Sequence, residues 1–208
     1  VNPFNTTGRL VPTYCDREGS KWFPGYKVRG EGILIHADNH DAPNINGKEF
    51  LSWMSNTDAG AVSGTELYYD PRFVWWHTLA HMLLTDLSIS SGFQSASIAE
   101  KTYLIKDSNG NAAKAGILLY TVQDGGDGTL GGLVGLVPKF EKILEKSTYR
   151  LAHCSNDPVC IERKFNKMRT SGASCHACLL ASETSCRLHN HFLDRNLVLE
   201  SMLDGYKR

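Results

Sequence analysis

The stretch Asp70-Pro71-Arg72-Phe73-Val74-Trp75-Trp76-His77-Thr78-Leu79-Ala80-His81-Met82-Leu83-Leu84-Thr85-Asp86-Leu87-Ser88 decides the fold. Phe73, Trp76, Leu79, Ala80, Leu83, Leu84 and Leu87 recur at the spacing that lines one face of an α-helix. Pro71 suits the first turn, where a missing N–H costs nothing, and Asp70 is placed to cap it. Gly92 lies just past the end, where a left-handed residue closes a helix. So much of this segment is apolar that the helix belongs at the centre of the molecule, with the rest of the chain around it.

Outward from the helix, Tyr26 to Ile35 alternates and then becomes apolar, the pattern of a strand. Tyr103-Leu104-Ile105 and Gly116 to Thr121 are two more strand candidates. The turn chemistry of Asp107-Ser108-Asn109-Gly110-Asn111 between them predicts a hairpin. Ser95 to Glu100 reads as the start of a short helix, and Pro138 to His153 as an amphipathic helix with Phe140, Ile143, Leu144 and Leu151 inward. Asp157-Pro158 signals a short basic helix over 158–169, and Arg187 to Leu203 a final helix. Residues 1–24, which hold Cys15, are irregular, and residues 36–69 read as a long loop or short helices. Helices and strands mix without βαβ alternation, so the expected class is α+β: a mixed or antiparallel sheet packed by helices. We expect an α+β core over 1–153 and a zinc-binding C-terminal subdomain over 154–208, forming one compact unit.

A chain of 208 residues with 41% hydrophobic content can bury a core without disulfide staples. That bears on the cysteines. Five of the six fall from position 154 onward, as Cys154-x5-Cys160 and Cys175-x2-Cys178-x7-Cys186. A C-x2-C pair sets two sulfurs on one tight turn, within reach of a single Zn²⁺. Cys186 supplies a third and Cys154 or Cys160 a fourth, with one thiol to spare. Five thiols also pair badly as disulfides, so a Cys-ligated zinc knuckle is the expectation.

Other constellations are weaker. His77 and His81 stand four apart on one helical face, the arrangement by which a helix presents two imidazoles to a metal. Thr78 stands where a metalloprotease helix needs Glu, so hydrogen-bonded structural histidines are the plainer reading. Glu18, Glu31, Glu100 and Glu183 show no pairing by spacing, and surface charge is their default. The run Asp124 to Gly132 has glycines that could cradle a phosphate, yet lacks the P-loop Lys and the dinucleotide spacing, and its aspartates repel anions. No nucleophile elbow occurs. Formal net charge is zero, so the whole chain carries no nucleic-acid signature. Residues 139–169 nevertheless hold eight basic against four acidic side chains, Arg163, Lys164, Lys167 and Arg169 among them. That is a solvated helix face, or a phosphate-contact surface. No apolar run reaches membrane-spanning length. The opening Val1-Asn2-Pro3-Phe4 has no initiator Met and no signal-peptide core, which leads us to expect a piece of a longer polypeptide.

Seven segments, in order, resemble one family: the zinc-binding domain shared by DrmB proteins of the DISARM anti-phage system and MrfA-type helicases, the DrmB form being closer. They are Arg29 to Ile33, His77 to Leu84, Gly92 to Ile98, Gly116 to Thr121, Gly128 to Val134, Cys154 to Cys160, and Gly172 to Leu180 running on to Cys186 and Leu193-Asp194-Arg195. The resemblance implies a cytoplasmic protein with a cysteine-held Zn²⁺, partnered by a DrmA-like helicase subunit and by DNA, with no membrane role. It implies Cys175, Cys178 and Cys186 as ligands, then Cys160 and Cys154, and it leaves His77 and His81 without an assigned role. DrmB-like proteins are considerably longer than this chain. The expected function is a non-catalytic zinc module that supports DNA binding by the helicase, through Arg163, Lys164, Lys167 and Arg169. Two alternatives stand beside it: a metal-dependent hydrolase or nuclease using His77, His81 and Glu31, and a pure protein-interaction scaffold.

Overall fold

The structure, a computed structural model, describes residues 14–15, 21–22, 30–38, 68, 70–106, 112–122, 131–166 and 169–206. A two-residue antiparallel pair joins β1 (Tyr14–Cys15) to β2 (Lys21–Trp22). The main sheet is antiparallel, with β5 (Ala112–Thr121) between β3 (Gly32–Asp38) and β4 (Ile98–Lys106). Helix α1 (Pro71–Ser91) packs on β4 and β5 and also meets α2 (Phe140–Ala152) and α3 (Arg195–Tyr206). The α+β class follows. Among the described residues, no helix is long and apolar enough to cross a membrane.

The central helix is the one the sequence predicts. Asp70 caps it by accepting from the Arg72 N–H at 3.0 Å, and Gly92 ends it at φ 79°. Every residue from Phe73 to Leu84 is buried, so α1 has no solvent face over three turns. The hairpin is also as expected, β4 pairing with β5 from Ile98↔Thr121 to Lys106↔Ala112. Gly116 is needed where β3 crosses: a Cβ there would lie 2.6 Å from the Ile35 carbonyl oxygen.

Four boundaries differ from the sequence expectations. The first strand spans Gly32–Asp38 rather than 26–35, because its partner β5 sets the register from Gly32↔Tyr120 to Asp38↔Lys114; residues 23–29 lie outside the described set. Ser95–Ser97 makes only one 3₁₀ turn, and Ile98 to Glu100 belongs to β4. The Val122 N–H reaches back to the Ser97 carbonyl and extends the ladder instead. Residues 158–162 form turns and 163–166 continue irregularly to a bridge between Asn166 and Arg169, with no helix. Cys160, at 0% exposure, has to face inward in mid-segment, and the Asp157 carboxylate takes the Ile161 N–H and pairs with Arg195. The last helix starts at Arg195 rather than Arg187, since His189, Asn190 and Phe192 adopt left-handed backbone at φ 51–61°. The Asn190 side chain there clamps the Ala181 N–H and carbonyl at 2.9 and 3.0 Å. Asp194 then caps the helix by accepting from the Asn196 N–H at 3.0 Å. The expectations for 1–24 and 36–69 fall almost wholly outside the described residues.

Two arginines, Arg195 buried and Arg150 half-buried, tie the C-terminal segment to the core. Arg150 on α2 bonds the Asp86 carboxylate at 3.0 Å, the Met82 carbonyl at 2.6 Å and the Cys178 carbonyl at 2.8 Å. Arg195 reaches the Leu151 carbonyl at 2.7 Å and the Asp157 carboxylate. Leu83 is completely buried in the centre of this assembly. Leu83→Ala should lower unfolding free energy by about 3 kcal/mol in urea titration, whereas Ile89→Ala, on the exposed end of the same helix, should cost under about 1 kcal/mol.

Candidate metal centre

Four thiols converge from two turns. Residues 154–160 bring Cys154 and Cys160; the C-x2-C turn brings Cys175 and Cys178, its tightness set by the Cys178 and Leu179 N–H groups bonding back to the Cys175 carbonyl. The sulfurs lie 3.4 Å apart for Cys154–Cys175, 3.8 Å for Cys160–Cys178 and 3.6 Å for Cys175–Cys178. Four sulfurs each about 2.3 Å from a tetrahedral zinc lie about 3.8 Å apart, so the set fits that ion with little adjustment. All four are buried.

The proton chemistry points the same way. Burial pushes the Cys160 thiol up to about 12 and raises Cys178 as well. Burial also acts to raise Cys175, but hydrogen bonds from Cys154, the Ala177 backbone and the other two thiols hold it down to about 7. Four buried thiolates repel one another, and a divalent cation at their centre removes that conflict. The Asn156 N–H, 3.4 Å from the Cys154 sulfur, adds a donor of the kind that steadies a bound thiolate.

Cys186 is not among the four. Its sulfur lies 3.4 Å from His77 Nε2, in a second buried group with His81 and Glu100. Spacing alone suggested that Cys186 follows the C-x2-C turn into one site; pairing of the Glu100 N–H with the Ser185 carbonyl at 3.0 Å carries it to β4 instead. Both candidate ligands between which the sequence could not choose, Cys154 and Cys160, join the thiol group, and Cys186 is the thiol left over.

His77 and His81 face one another at 4.7 Å between ring centroids, and both are fully buried. The carboxylate beside them is Glu100, at 3.4 Å from His77 Nε2, not Glu31. Sequence reasoning set Glu100 aside as surface charge, yet it is 3% exposed. The signal that could have found it is the two-residue period of β4, which sets Glu100 on the same inward face as Ile98 and Leu104. Burial alone would lower His77, but its bonds to Cys186 and Glu100, with their charge, lift it to about 10. Burial, reinforced by the charge on His77, drops His81 to about 3. Glu100 stays below the usual carboxylate range: burial opposes this, and the bond to His77 outweighs it.

Glu31 has a different task. Its carboxylate accepts from the backbone N–H groups of Gly131 and Leu133 at 2.8 Å and of Val134 at 3.2 Å. The described end of the glycine-rich run therefore does present N–H groups to an anion, and the anion is the protein's own. Residues 123–130 lie outside the described set.

Of the basic residues, Arg163 is half-buried and donates to the Ser174 carbonyl at 2.9 Å, bracing the turn ahead of Cys175. Lys164 and Arg169 are exposed; Lys167 lies outside the described residues.

Residues 79–179 match the family model of the MrfA Zn-binding domain. The chain is also 31% identical over 201 residues to the DISARM protein DrmB of Bacillus paralicheniformis, a match that covers 89% of this chain and 34% of that protein. The chain thus spans about a third of the length of that relative. Zinc is the cofactor that the matched domain and the four-thiol geometry indicate together.

The Glu31 cap gives a pH test. Burial opposes ionisation, but the backbone donors together hold its carboxyl below the ordinary value. A carboxylate lowered on folding stabilises above its unfolded pKa and loses that contribution as pH falls through the folded value. Glu31→Gln should therefore cost roughly 1 kcal/mol at pH 7, with the gap to wild type closing below about pH 4 in paired urea titrations.

Proposed function

We propose, from the match of residues 79–179 to the MrfA Zn-binding domain, that this chain is a non-catalytic, zinc-ordered module of a DISARM-type anti-phage protein. In this reading it acts in the cytoplasm and helps a helicase subunit hold DNA. The observation that carries it is the closed group of four buried thiols. Cys154, Cys160, Cys175 and Cys178 fill the four positions of a tetrahedral ion, which leaves none for water or substrate, the mark of a structural rather than a catalytic zinc. The name of the relative supports the defence setting. Burial of His77 and His81 at 0% exposure favours the non-catalytic reading over a hydrolase, since no substrate reaches them.

The zinc draws residues 154–160 and 175–178 together, and Arg150 and Arg195 fasten that knot to α1 and α2. We read residues 1–153 and 154–208 as one working unit for that reason. Lys164 and Arg169 are exposed in the segment between the two thiol turns, and we read them as side chains that meet a DNA backbone; Arg163 donates to the Ser174 carbonyl.

Mass spectrometry on the native protein tests the metal arm. Cys160→Ser should lose one zinc equivalent and unfold less cooperatively; retention of all the metal would remove the assignment. A labelled-DNA titration tests the partner arm. Lys164→Glu with Arg169→Glu should weaken binding and reduce the slope of log affinity against log salt by roughly 2. Wild-type protein that binds no DNA would leave an interaction scaffold, and an unchanged slope in the variant would exclude this surface.

A further inference from the structure

One ring nitrogen each of His77 and His81, a Glu100 carboxylate oxygen and the Cys186 sulfur all lie within 4.8 Å of one another, and all four side chains are buried. From this geometry we propose that the chain holds a second structural zinc, ligated by His77, His81, Glu100 and Cys186. This site is separate from the four-thiol centre and stands whether or not that assignment does.

Each ligand is held by a second group that aims it inward. His77 Nδ1 lies 3.2 Å from the Phe192 carbonyl and His81 Nδ1 2.9 Å from the Leu179 carbonyl. A carbonyl only accepts, so Nδ1 carries the proton in both rings. Nε2 is then the nitrogen left to each ring for a metal: on His81 it is a lone pair without a donor, and on His77 a metal would take the place of the Nε2 proton shared with Cys186 and Glu100. Thr102 donates to one Glu100 oxygen at 3.1 Å and leaves the other facing His77. The Asn190 N–H lies 3.4 Å from the Cys186 sulfur. Four ligands, each with its own orienting partner, is the construction found around protein-bound zinc.

The group is also incomplete as a hydrogen-bond cluster. His81 Nε2 is fully buried and has no partner, although His81 is grouped with three other potential ligand residues. A hydrogen-bonded core would bring a donor to that lone pair; a metal supplies the missing acceptor of electrons. The two contacts at 3.4 Å, His77 Nε2 to the Cys186 sulfur and to the Glu100 oxygen, match the roughly 3.3–3.6 Å that tetrahedral zinc sets between nitrogen, oxygen and sulfur ligands.

Donor chemistry selects the ion. Two imidazoles, one carboxylate and one thiolate in a compact tetrahedron suit Zn²⁺, whereas Mg²⁺ and Ca²⁺ want more oxygens. Four protein ligands and complete burial leave no open position, so the ion is structural. It joins consecutive turns of α1 to β4 and to the segment after the thiol turn.

The experiment is metal analysis of the intact native protein, with X-ray absorption at the zinc edge. Two zinc equivalents per chain are expected, with a mixed first shell of five sulfurs to three nitrogen or oxygen atoms, at about 2.3 and about 2.0–2.1 Å. His81→Ala should fall from two equivalents to one, and Cys186→Ser should shift the shell of any ion retained toward oxygen. A first shell of sulfur alone, with no nitrogen or oxygen ligand at about 2.0–2.1 Å, overturns the second site. Because the spectrum is read on the unmodified protein, misfolding of either variant does not spoil the test. Loss of the thiol-bound zinc in Cys160→Ser bears only on the first site.

Discussion

A helix buried on every side has no water in which to leave a polar group. Over Phe73 to Leu84 α1 meets that condition, and its histidine and threonine side chains there each reach a distant piece of the chain. The Thr78 hydroxyl donates to the Val74 carbonyl one turn back at 2.7 Å and accepts from the Asp194 N–H at 3.0 Å, at the start of α3. His77 finds the Phe192 carbonyl and His81 the Leu179 carbonyl. An unpaired buried polar group costs about 1–3 kcal/mol, so these bonds are obligatory, and they dictate where residues 179–194 must lie. The apolar surface of α1 supplies the driving force; its few polar atoms supply the address.

The C-x2-C turn is held from two sides by successive carbonyls. Cys178 offers its oxygen to Arg150 at 2.8 Å and Leu179 offers its oxygen to His81 at 2.9 Å. The thiol centre is thus not a knuckle hanging from a finished domain. Its backbone is part of the satisfaction of α1 and of Arg150, which also reaches the Met82 carbonyl within the same helix. Gly172 shows how closely the pieces fit: a Cβ there would collide with the Asp194 carboxylate, which already accepts from the Ala173 N–H at 3.1 Å.

Local signals in the sequence were legible where the cause was local. Asp70-Pro71 and Gly92 mark the ends of α1 because capping acts within a turn, and the C-x2-C spacing predicts two sulfurs on one site because two residues fix their separation. The pairing of Cys186 with His77 was not legible, since it depends on the Ser185 carbonyl meeting the Glu100 N–H across the fold. Glu31 and Glu100 look alike in the sequence, yet one caps a turn and the other lies among histidines; the difference is burial, which only packing decides. The eight-residue delay of the final helix comes from left-handed backbone at His189, Asn190 and Phe192, and Phe192 is of a residue type that rarely adopts that conformation.

The two polar centres differ in how much chain they enclose. The four thiols sit within residues 154–178, so a metal can gather them by closing short loops. The group of His77, Glu100 and Cys186 closes only when positions 109 residues apart have met. Loop-closure entropy grows slowly with length, but a contact of that span has to wait for the intervening structure. Gathering the four thiols therefore asks only for local loop closure, whereas the histidine group closes only where the C-terminal segment docks onto α1 and β4. The first is a local seed of order, and the second is a checkpoint that registers completion of the whole topology.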